Sequence, residues 1–317
     1  MNATIRVGIA GAGAVGCFYG LALQRAGLNV NFLARGKHLQ ALQNTGLCYE
    51  SAGKQEVFSV NASDNVEILA DCDVILLCCK TTQLDAMCQS LLRVVDPTVT
   101  WLTLQNGVQA ADQVSAYFPN HCVLAASAFI GVRIEKVGHV IHSAAGHIRL
   151  GSWCKGEGKC DDMILESLQD AWQKAGVDAK VEADMRMMLW QKMLWNCGFN
   201  AVTALTKRYA RDVALHDDMA AWVRTAMLEV IAVASKKGVC LDENMADQHM
   251  QMTRKAGEVK SSMWQDMSHQ KPTEIAAMNG YIAEQGKKLG IAVPINTMLA
   301  NMIDLAEGAY LVRRTNS

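Results

Sequence analysis

The sequence predicts an α/β protein in which a doubly wound parallel sheet is followed by an all-helical domain. Short apolar strands alternate with helical segments over the first half of the 317-residue chain, an order typical of a parallel sheet with helices on both faces. From about Glu182 onward, Ala, Met, Leu and Trp recur at helical spacing and β-rich runs disappear. We therefore predict two domains, residues 1–182 and 183–317.

The chain opens with a strand, a glycine-rich turn and a helix. Ile5, Val7 and Ile9 form a short apolar strand. The residues that follow it spell G-x-G-x-x-G: Gly11, Ala12, Gly13, Ala14, Val15 and Gly16. In a Rossmann-type unit the first glycine permits a tight turn, the second lets the backbone approach a pyrophosphate, and the third allows close helix–strand packing. The helix N-terminus then offers N–H groups and a positive dipole end to the phosphates. The alternative is a glycine-rich turn that binds nothing, but its place between a strand and a helix favours a dinucleotide.

The end of the second strand indicates which dinucleotide binds. An NAD site usually carries Asp or Glu there, to accept hydrogen bonds from the ribose 2′-OH. This chain has Arg35 instead, with Lys37 and His38 behind it. A guanidinium binds a 2′-phosphate through two charge-assisted bonds, which a carboxylate would repel. Lys80, just past the apolar strand 74–79, could add a second positive charge. We therefore expect NADP(H); the alternative is that both cations are ordinary solvated surface residues.

Composition argues against several classes of protein. The formal net charge of −1 gives no case for nucleic acid or an anionic membrane surface as a partner. The longest apolar runs fall far short of the roughly 20 residues that span a bilayer. The chain begins with a strand rather than an apolar signal core, so we expect a cytoplasmic location. Its eleven cysteines then indicate reduced, small hydrophobic residues. No Cys or His group has the spacing of a metal site, so we expect no metal.

Three polar residues interrupt the strongly apolar helical segment 189–205, LWQKMLWNCGFNAVTAL. Lys192, Asn196 and Asn200 recur every four residues, which places them on one face of an α-helix, with Thr203 in the same stripe. The other faces carry large apolar side chains, so the pattern predicts a helix that lines a polar cleft. The alternative is a half-exposed helix whose stripe faces water. It is weakened because asparagine is a poor choice for an ordinary helix surface.

A second polar segment, SSMWQDMSHQKPTEI, covers residues 261–275 and contains Ser262 and Glu274. Thr273 is a suitable N-cap, which would leave Glu274 in the first turn of a helix over residues 274–289. A glutamate in that place complements the helix dipole. The spacing alone does not separate this structural role from a functional one.

These motifs together resemble the ketopantoate reductase family, also called 2-dehydropantoate 2-reductases. The glycine loop, the triplet Gln105-Asn106-Gly107, the Lys192 helix and the segment 261–275 occur in order over essentially the whole chain. The resemblance implies a Rossmann domain followed by an all-helical domain. It also implies NADPH-dependent reduction of 2-dehydropantoate to (R)-pantoate, a step of pantothenate and coenzyme A biosynthesis.

The resemblance assigns roles to individual residues. The catalytic pair falls on Lys192 and Glu274. The substrate contacts fall on Asn196, Asn200, Ser262 and Asn106. The cofactor contacts are the six glycine-loop residues, Asn106 at the nicotinamide end, and Arg35 and Lys80 near the 2′-phosphate. Elementary chemistry agrees, because hydride delivery to a ketone leaves negative charge on oxygen that a lysine can stabilise and then protonate.

Two alternatives stand beside this function. One is a paralogous NADPH-dependent reductase of another 2-oxo acid, since substrate choice lies in the shape of the cleft. The other is a non-catalytic NADP(H)-binding sensor, against which Lys192 and Glu274 argue because a pure binder needs no proton donor. The expected partner is thus a small-molecule 2-oxo acid. A homodimer that pairs through the helical domain is compatible with this architecture.

Overall fold

The computed structural model describes residues 5–153, 162–258 and 260–315, with side chains to residue 311. The chain forms two compact units. The first unit is Met1–Gln105 with Gln109–Met185, and the second unit is Asn106–Val108 with Arg186–Ser317. The short segment Asn106–Val108 therefore belongs to the helical second unit, although its neighbours in sequence on both sides belong to the first.

The first unit is built on a mostly parallel sheet, which has ten strands among the residues described. These strands are β1 Arg6–Ala10, β2 Asn29–Leu33, β3 Leu47–Ser51, β4 Lys54–Phe58, β5 Asn61–Ser63, β6 Val74–Leu77, β7 Thr100–Thr103, β8 Val123–Lys136, β9 His139–Ser152 and β10 Ala179–Val181. Six of them run parallel in the order β5-β2-β1-β6-β7-β8, which is the strand order of the Rossmann fold. The predicted fold class is confirmed.

An antiparallel hairpin extends this sheet. β8 and β9 pair antiparallel, β9 pairs in parallel with β3 and β10, and β3 pairs antiparallel with β4. The sequence predicts two separate short segments, 138–143 and 147–150, where the structure has one 14-residue strand. The reason is a set of register shifts between β8 and β9, aided by positive φ angles at Ala145 and Gly146. These bulges keep the strand continuous through polar and small residues that break the apolar pattern.

In the described part of the first unit there are five α-helices: α1 Ala14–Arg25, α2 Gly36–Thr45, α3 Leu84–Leu91, α4 Ala110–Tyr117 and α5 Asp162–Lys174. α1 packs closely on the sheet, since a Cβ at Gly20 would lie 2.7 Å from the Phe32 ring. Trp172 of α5 donates its indole N–H to the Tyr19 carbonyl at 3.1 Å and is fully buried. α2 is absent from our sequence prediction because it buries only Leu39 and Leu42 and so has a weak apolar stripe.

The second unit is helical, as predicted. Its helices are α6 Met185–Trp195, α7 Ala201–Thr206, α8 Ala210–Leu215, α9 Asp217–Lys236, α10 Asn244–Arg254, α11 Ser262–Ser268, α12 Asn279–Leu289 and α13 Pro294–Thr315. Across the described parts of both units, no helix combines the length and the apolar character that crossing a bilayer requires.

Two predicted helices of the second unit are interrupted. A π turn, Asn196–Asn200, separates α6 from α7 where the sequence predicts one continuous helix. The predicted helix 274–289 begins instead as a 3₁₀ turn, Ile275–Ala277, before α12 starts at Asn279. The Thr273 hydroxyl accepts the Ile275 N–H at 3.3 Å. It therefore satisfies the first N–H of this 3₁₀ turn, whose N-cap is Glu274, rather than capping an α-helix. Both irregularities lie among the predicted site residues.

Candidate active site

The glycine loop between β1 and α1 has the geometry that each glycine requires. Gly11 has φ +105°, and a Cβ there would lie 2.7 Å from the Cys79 backbone nitrogen. A Cβ at Gly16 would lie 2.5 Å from the Gly11 carbonyl oxygen, so this glycine is needed for packing inside the protein. A Cβ at Gly13 would meet nothing within 4 Å. The space in front of Gly13 is therefore open to a ligand that contacts the backbone.

The start of α1 is suited to an anion. The helix begins at Ala14 with Gly13 as its N-cap, and its first turn contains no acidic residue. The N–H groups of the first helical residues have no acceptor within the helix. Ala12 donates its own N–H to the Leu33 carbonyl at 2.9 Å, which fixes the loop to the end of β2. The N–H groups of Ala14, Val15 and Gly16 are thus the ones that would hold a phosphate.

Arg35 and Lys80 follow the two strands that flank β1 in the sheet. β1 pairs in parallel with both β2 and β6, so Arg35, the glycine loop and Lys80 all leave the same edge of the sheet. Both cationic side chains are exposed. Burial raises the pKa of the Cys79 thiol to about 11, and the charge of Arg35 acts in the opposite direction. The guanidinium therefore lies near the end of β6, the part of the edge that carries Lys80.

In the second unit, the polar stripe of the Lys192 helix is buried except at Lys192, which is partly buried. Asn196, Asn200 and Thr203 are 7%, 1% and 0% exposed, so the alternative in which the stripe faces water is wrong. Asn200 donates its side-chain amide to the Met278 sulfur at 3.3 Å, and Thr203 shares a 2.7 Å hydrogen bond with the Ser261 hydroxyl. The stripe is therefore held by contacts from the segments around α11 and α12.

The π turn changes how this stripe lines up. Along an α-helix four residues overshoot one turn, so Lys192, Asn196 and Asn200 would drift steadily round the axis. A π turn is wider, with hydrogen bonds five residues apart, so four residues fall short of a turn. The step from Asn196 to Asn200 thus reverses the drift from Lys192 to Asn196. Asn200 returns toward the line of Lys192, which the sequence pattern alone does not predict.

Lys192 and Glu274 influence each other electrostatically. Burial lowers the pKa of the Lys192 ammonium to about 8, and the negative charge of Glu274 acts in the opposite direction. Asn106 donates its side-chain amide to Glu274 Oε2 at 2.8 Å. Gly107 lets the Asn106 segment approach the 3₁₀ turn closely. Its φ is +93°, and a Cβ there would lie 2.6 Å from the Ala277 carbonyl oxygen, so only glycine fits at this position. The structure thus groups a lysine, a carboxylate and an amide.

Two family models match this chain. They are described as "Ketopantoate reductase PanE/ApbA", over residues 7–155, and "Ketopantoate reductase PanE/ApbA C terminal", over residues 184–307. The chain belongs to the ketopantoate reductase family. It is accordingly an oxidoreductase that acts on CH–OH groups.

Individual relatives cover nearly the whole length of the chain. A PanE/ApbA family ketopantoate reductase from Ralstonia eutropha JMP134 is 31% identical, with a TM-score of 0.86, covering 97% of this chain and 100% of that one. The 2-dehydropantoate 2-reductase of Halobacterium salinarum is 27% identical over 305 residues, which are 96% of this chain and 99% of that protein. A D-mandelate dehydrogenase, solved with NADH and anilino(oxo)acetate, is 23% identical with a TM-score of 0.86, covering 96% and 99%. The last similarity concerns the fold alone.

Ser262 follows directly after Ser261, which is part of the buried hydrogen-bonded pair with Thr203 in this member of the ketopantoate reductase family. It is the first residue of α11 and is exposed, whereas its neighbour Ser261 is 5% exposed. The Ser261 hydroxyl caps α11 by accepting the Trp264 N–H at 3.1 Å, and it also bonds Thr203. Ser261 therefore ties α11 to α7, while the substrate role of Ser262 stays a prediction.

Two buried side-chain amides, those of Gln105 and Asn279, are given no role in our sequence analysis. Gln105 donates its side-chain amide to the Leu77 and Cys79 carbonyls at 3.0 Å each, which ties the end of β7 to the end of β6. Asn279 donates to the Cys197 carbonyl inside the π turn at 2.8 Å. A polar residue at the end of an apolar run was the only signal for either. Among the described residues, no group of three or more His, Cys, Asp or Glu side chains could hold a metal ion.

Proposed function

We propose that this chain reduces 2-dehydropantoate to (R)-pantoate with NADPH, and that Lys192 donates the proton. The observation that carries the proposal is the partly buried Lys192, whose pKa is lowered by burial under the opposing influence of Glu274, on a helix whose neighbouring polar residues Asn196, Asn200 and Thr203 are buried. A charged lysine is costly to bury, so one kept beside a carboxylate is a candidate for proton transfer. The substrate follows from relatives named 2-dehydropantoate 2-reductase.

The residues of the first unit fit a dinucleotide with a 2′-phosphate. The open space at Gly13 and the first turn of α1, which has no acidic residue, suit a pyrophosphate. Arg35 stands where an NAD site would carry a carboxylate, and with Lys80 it supplies the positive charge for the 2′-phosphate. Asn106 is assigned to the nicotinamide end. When bound, the cofactor supplies a hydride to the carbonyl carbon of the substrate.

In this proposal Lys192 stabilises the negative charge that the reduction creates. Negative charge develops on the carbonyl oxygen, where an ammonium stabilises it and then gives up a proton. A pKa of about 8 brings the ammonium close to the pH at which it must donate. Burial favours the neutral amine that is left behind. A positioned proton donor of this kind contributes ~10²–10⁴-fold to the rate.

Glu274 and the asparagines give the site its selectivity in this proposal. Asn106 holds one oxygen of Glu274, which accepts a hydrogen bond from the hydroxyl group of the substrate. Asn196, Asn200 and Ser262 orient the substrate without titrating. The side-chain oxygen of Asn200, Oδ1, is buried with no hydrogen-bond partner among the described residues, and such an acceptor is costly unless a ligand satisfies it. A 2-oxo acid without the hydroxyl would leave these groups unpaired.

The test is NADPH consumption with 2-dehydropantoate beside 2-oxoisovalerate, which lacks the hydroxymethyl group. We expect a strong preference for 2-dehydropantoate, and we expect Glu274→Gln to reduce that preference. Equal rates, or turnover of the plain oxo acid alone, would assign the chain to a paralogous reductase. NADPH binding without oxidation by any 2-oxo acid would instead identify a sensor.

A further inference from the structure

The π turn within the Lys192 helix needs a cause. π turns are rare, short interruptions of α-helices and are frequent at functional sites. This one is closely packed, since a Cβ at Gly198 would lie 2.7 Å from Met227 Cε and 3.0 Å from Val223 Cγ1, both on α9. Packing of an apolar helix does not by itself select a π turn over an α turn. A directional contact with the backbone of the turn would do so.

Asn279 makes such a contact. Its side chain is fully buried at the start of α12, and its Nδ2 donates to the carbonyl oxygen of Cys197, the second residue of the π turn, at 2.8 Å. The same Nδ2 donates to Asn296 Oδ1 at 3.0 Å. Both protons of the amide are therefore committed, one to the turn and one to α13. Neither bond is accessible to water, so each is expensive to break.

A buried carboxylate fixes the direction of this network. Glu229 of α9 is 7% exposed and accepts the backbone N–H groups of Ile295 and Asn296 at 2.9 Å each, near the start of α13. The Asn296 side-chain amide donates to Glu229 at 2.7 Å and to the Ala226 carbonyl at 3.0 Å. With its donors used in this way, Asn296 presents its oxygen to Asn279. Asn279 must then present its amide protons, one of which reaches Cys197.

We propose that Asn279 is a positioning residue that holds the π turn through the Cys197 carbonyl. It thereby sets where Asn196 and Asn200 lie relative to Lys192. Without this bond the turn relaxes toward an α turn, and Asn200 rotates away from the line of Lys192. This inference rests on the proposed function, which makes the two asparagines substrate contacts.

The experiment compares Asn279→Ala and the milder Asn279→Ser with Asn31→Ala, in the full chain. Asn31 lies on β2 in the first unit, donates its side-chain amide to the Ile68 carbonyl at 2.8 Å and accepts the Asn61 side-chain amide at 2.7 Å. Its loss therefore removes comparable side-chain bonds in the unit that does not contain the π turn. For each variant we would measure Tm, NADPH affinity, and kcat and KM for 2-dehydropantoate. The backbone is followed separately by amide hydrogen exchange over residues 196–202 and by a crystal structure of Asn279→Ser.

We expect both Asn279 variants to raise KM for 2-dehydropantoate about tenfold, the scale of one lost buried hydrogen bond, with NADPH affinity unchanged. Exchange over residues 196–202 should accelerate, and the π turn should convert to an α turn. Asn31→Ala should lower Tm without changing KM. An unchanged KM at a similar loss of Tm, or a π turn that persists in Asn279→Ser, would overturn the inference. If no 2-oxo acid supports NADPH oxidation by the wild type, the proposed function fails. The amide exchange and the crystal structure of Asn279→Ser then decide by themselves whether Asn279 holds the π turn.

Discussion

The two units of this molecule prepare for ligands in opposite ways. In the first unit the site is made of backbone, since Gly11, Gly13 and Gly16 leave room for a ligand or for close packing. In the second unit the site is made of side chains, with Lys192 and Glu274 set among buried amides. The first kind of site is damaged by adding atoms, whereas the second is damaged by removing them. Each unit therefore needs its own kind of substitution: added atoms in the first unit and removed side-chain groups in the second.

The largest effect should come from the side-chain site. We expect Lys192→Met to lower kcat with 2-dehydropantoate by ~10²–10⁴-fold, because the developing oxyanion loses its proton donor. NADPH affinity should stay close to that of the wild type, since the glycine loop is intact. Lys236→Met, on an exposed position of α9, is the matched control and should leave kcat unchanged. Wild-type turnover in Lys192→Met would remove this lysine from the mechanism.

A smaller effect, on cofactor affinity, is expected from removing the positive charge of Arg35 in the first unit. Arg35→Ala should weaken NADPH binding about 10–100-fold, the scale of a lost charge-assisted hydrogen bond, and should change NADH binding little. The measurement is the dissociation constant of each cofactor, with Lys54→Ala on the exposed strand β4 as control. Equal losses for NADPH and NADH would show that Arg35 does not contact a 2′-phosphate.

Two glycines of one loop should respond differently to the same methyl group. Gly13 has φ −78° and open space beside it, so Gly13→Ala should keep the wild-type Tm. It should weaken NADPH binding about tenfold, because the added Cβ lies where a pyrophosphate would approach. Gly16→Ala should lower Tm instead, since its Cβ would lie 2.5 Å from the Gly11 oxygen and such overpacking typically costs about 1–3 kcal/mol. Identical effects of the two changes would contradict the division between ligand space and packing.

This contrast also explains what the sequence could predict. The glycine loop was predictable because its requirements are local: a strand, three spaced glycines and a helix start. The α/β class and the helical second domain follow likewise from periodicity. The π turn and the Asn279 contact with Cys197 were not predictable, because they depend on residues about 80 positions apart in sequence. The continuous strand β9 was missed for a similar reason, since bulges set by β8 decide its register.

The smallest effect tests the cost of keeping a cation in the side-chain site. Burial lowers the pKa of Lys192 to about 8, from 10.5 as the ordinary value. Below pH 8 the lysine is charged in both the folded and the unfolded chain, so the folded state bears the full cost of burying it. Between about pH 8 and 10.5 the unfolded chain holds more protons, so this cost is relieved and stability rises with pH.

Lys192→Met removes that cost at every pH. We therefore expect its Tm to exceed that of the wild type at pH 7, with the difference shrinking as the pH rises through 8 toward 10.5. Thermal unfolding at a series of pH values measures this, and Lys236→Met should show no such trend because that side chain is exposed. A Tm difference that does not change with pH would mean that Lys192 is not held at a lowered pKa. Together with the loss of turnover, a stabilised Met variant would show that the second unit gives up stability to keep its proton donor, while the open backbone at Gly13 carries no comparable burden.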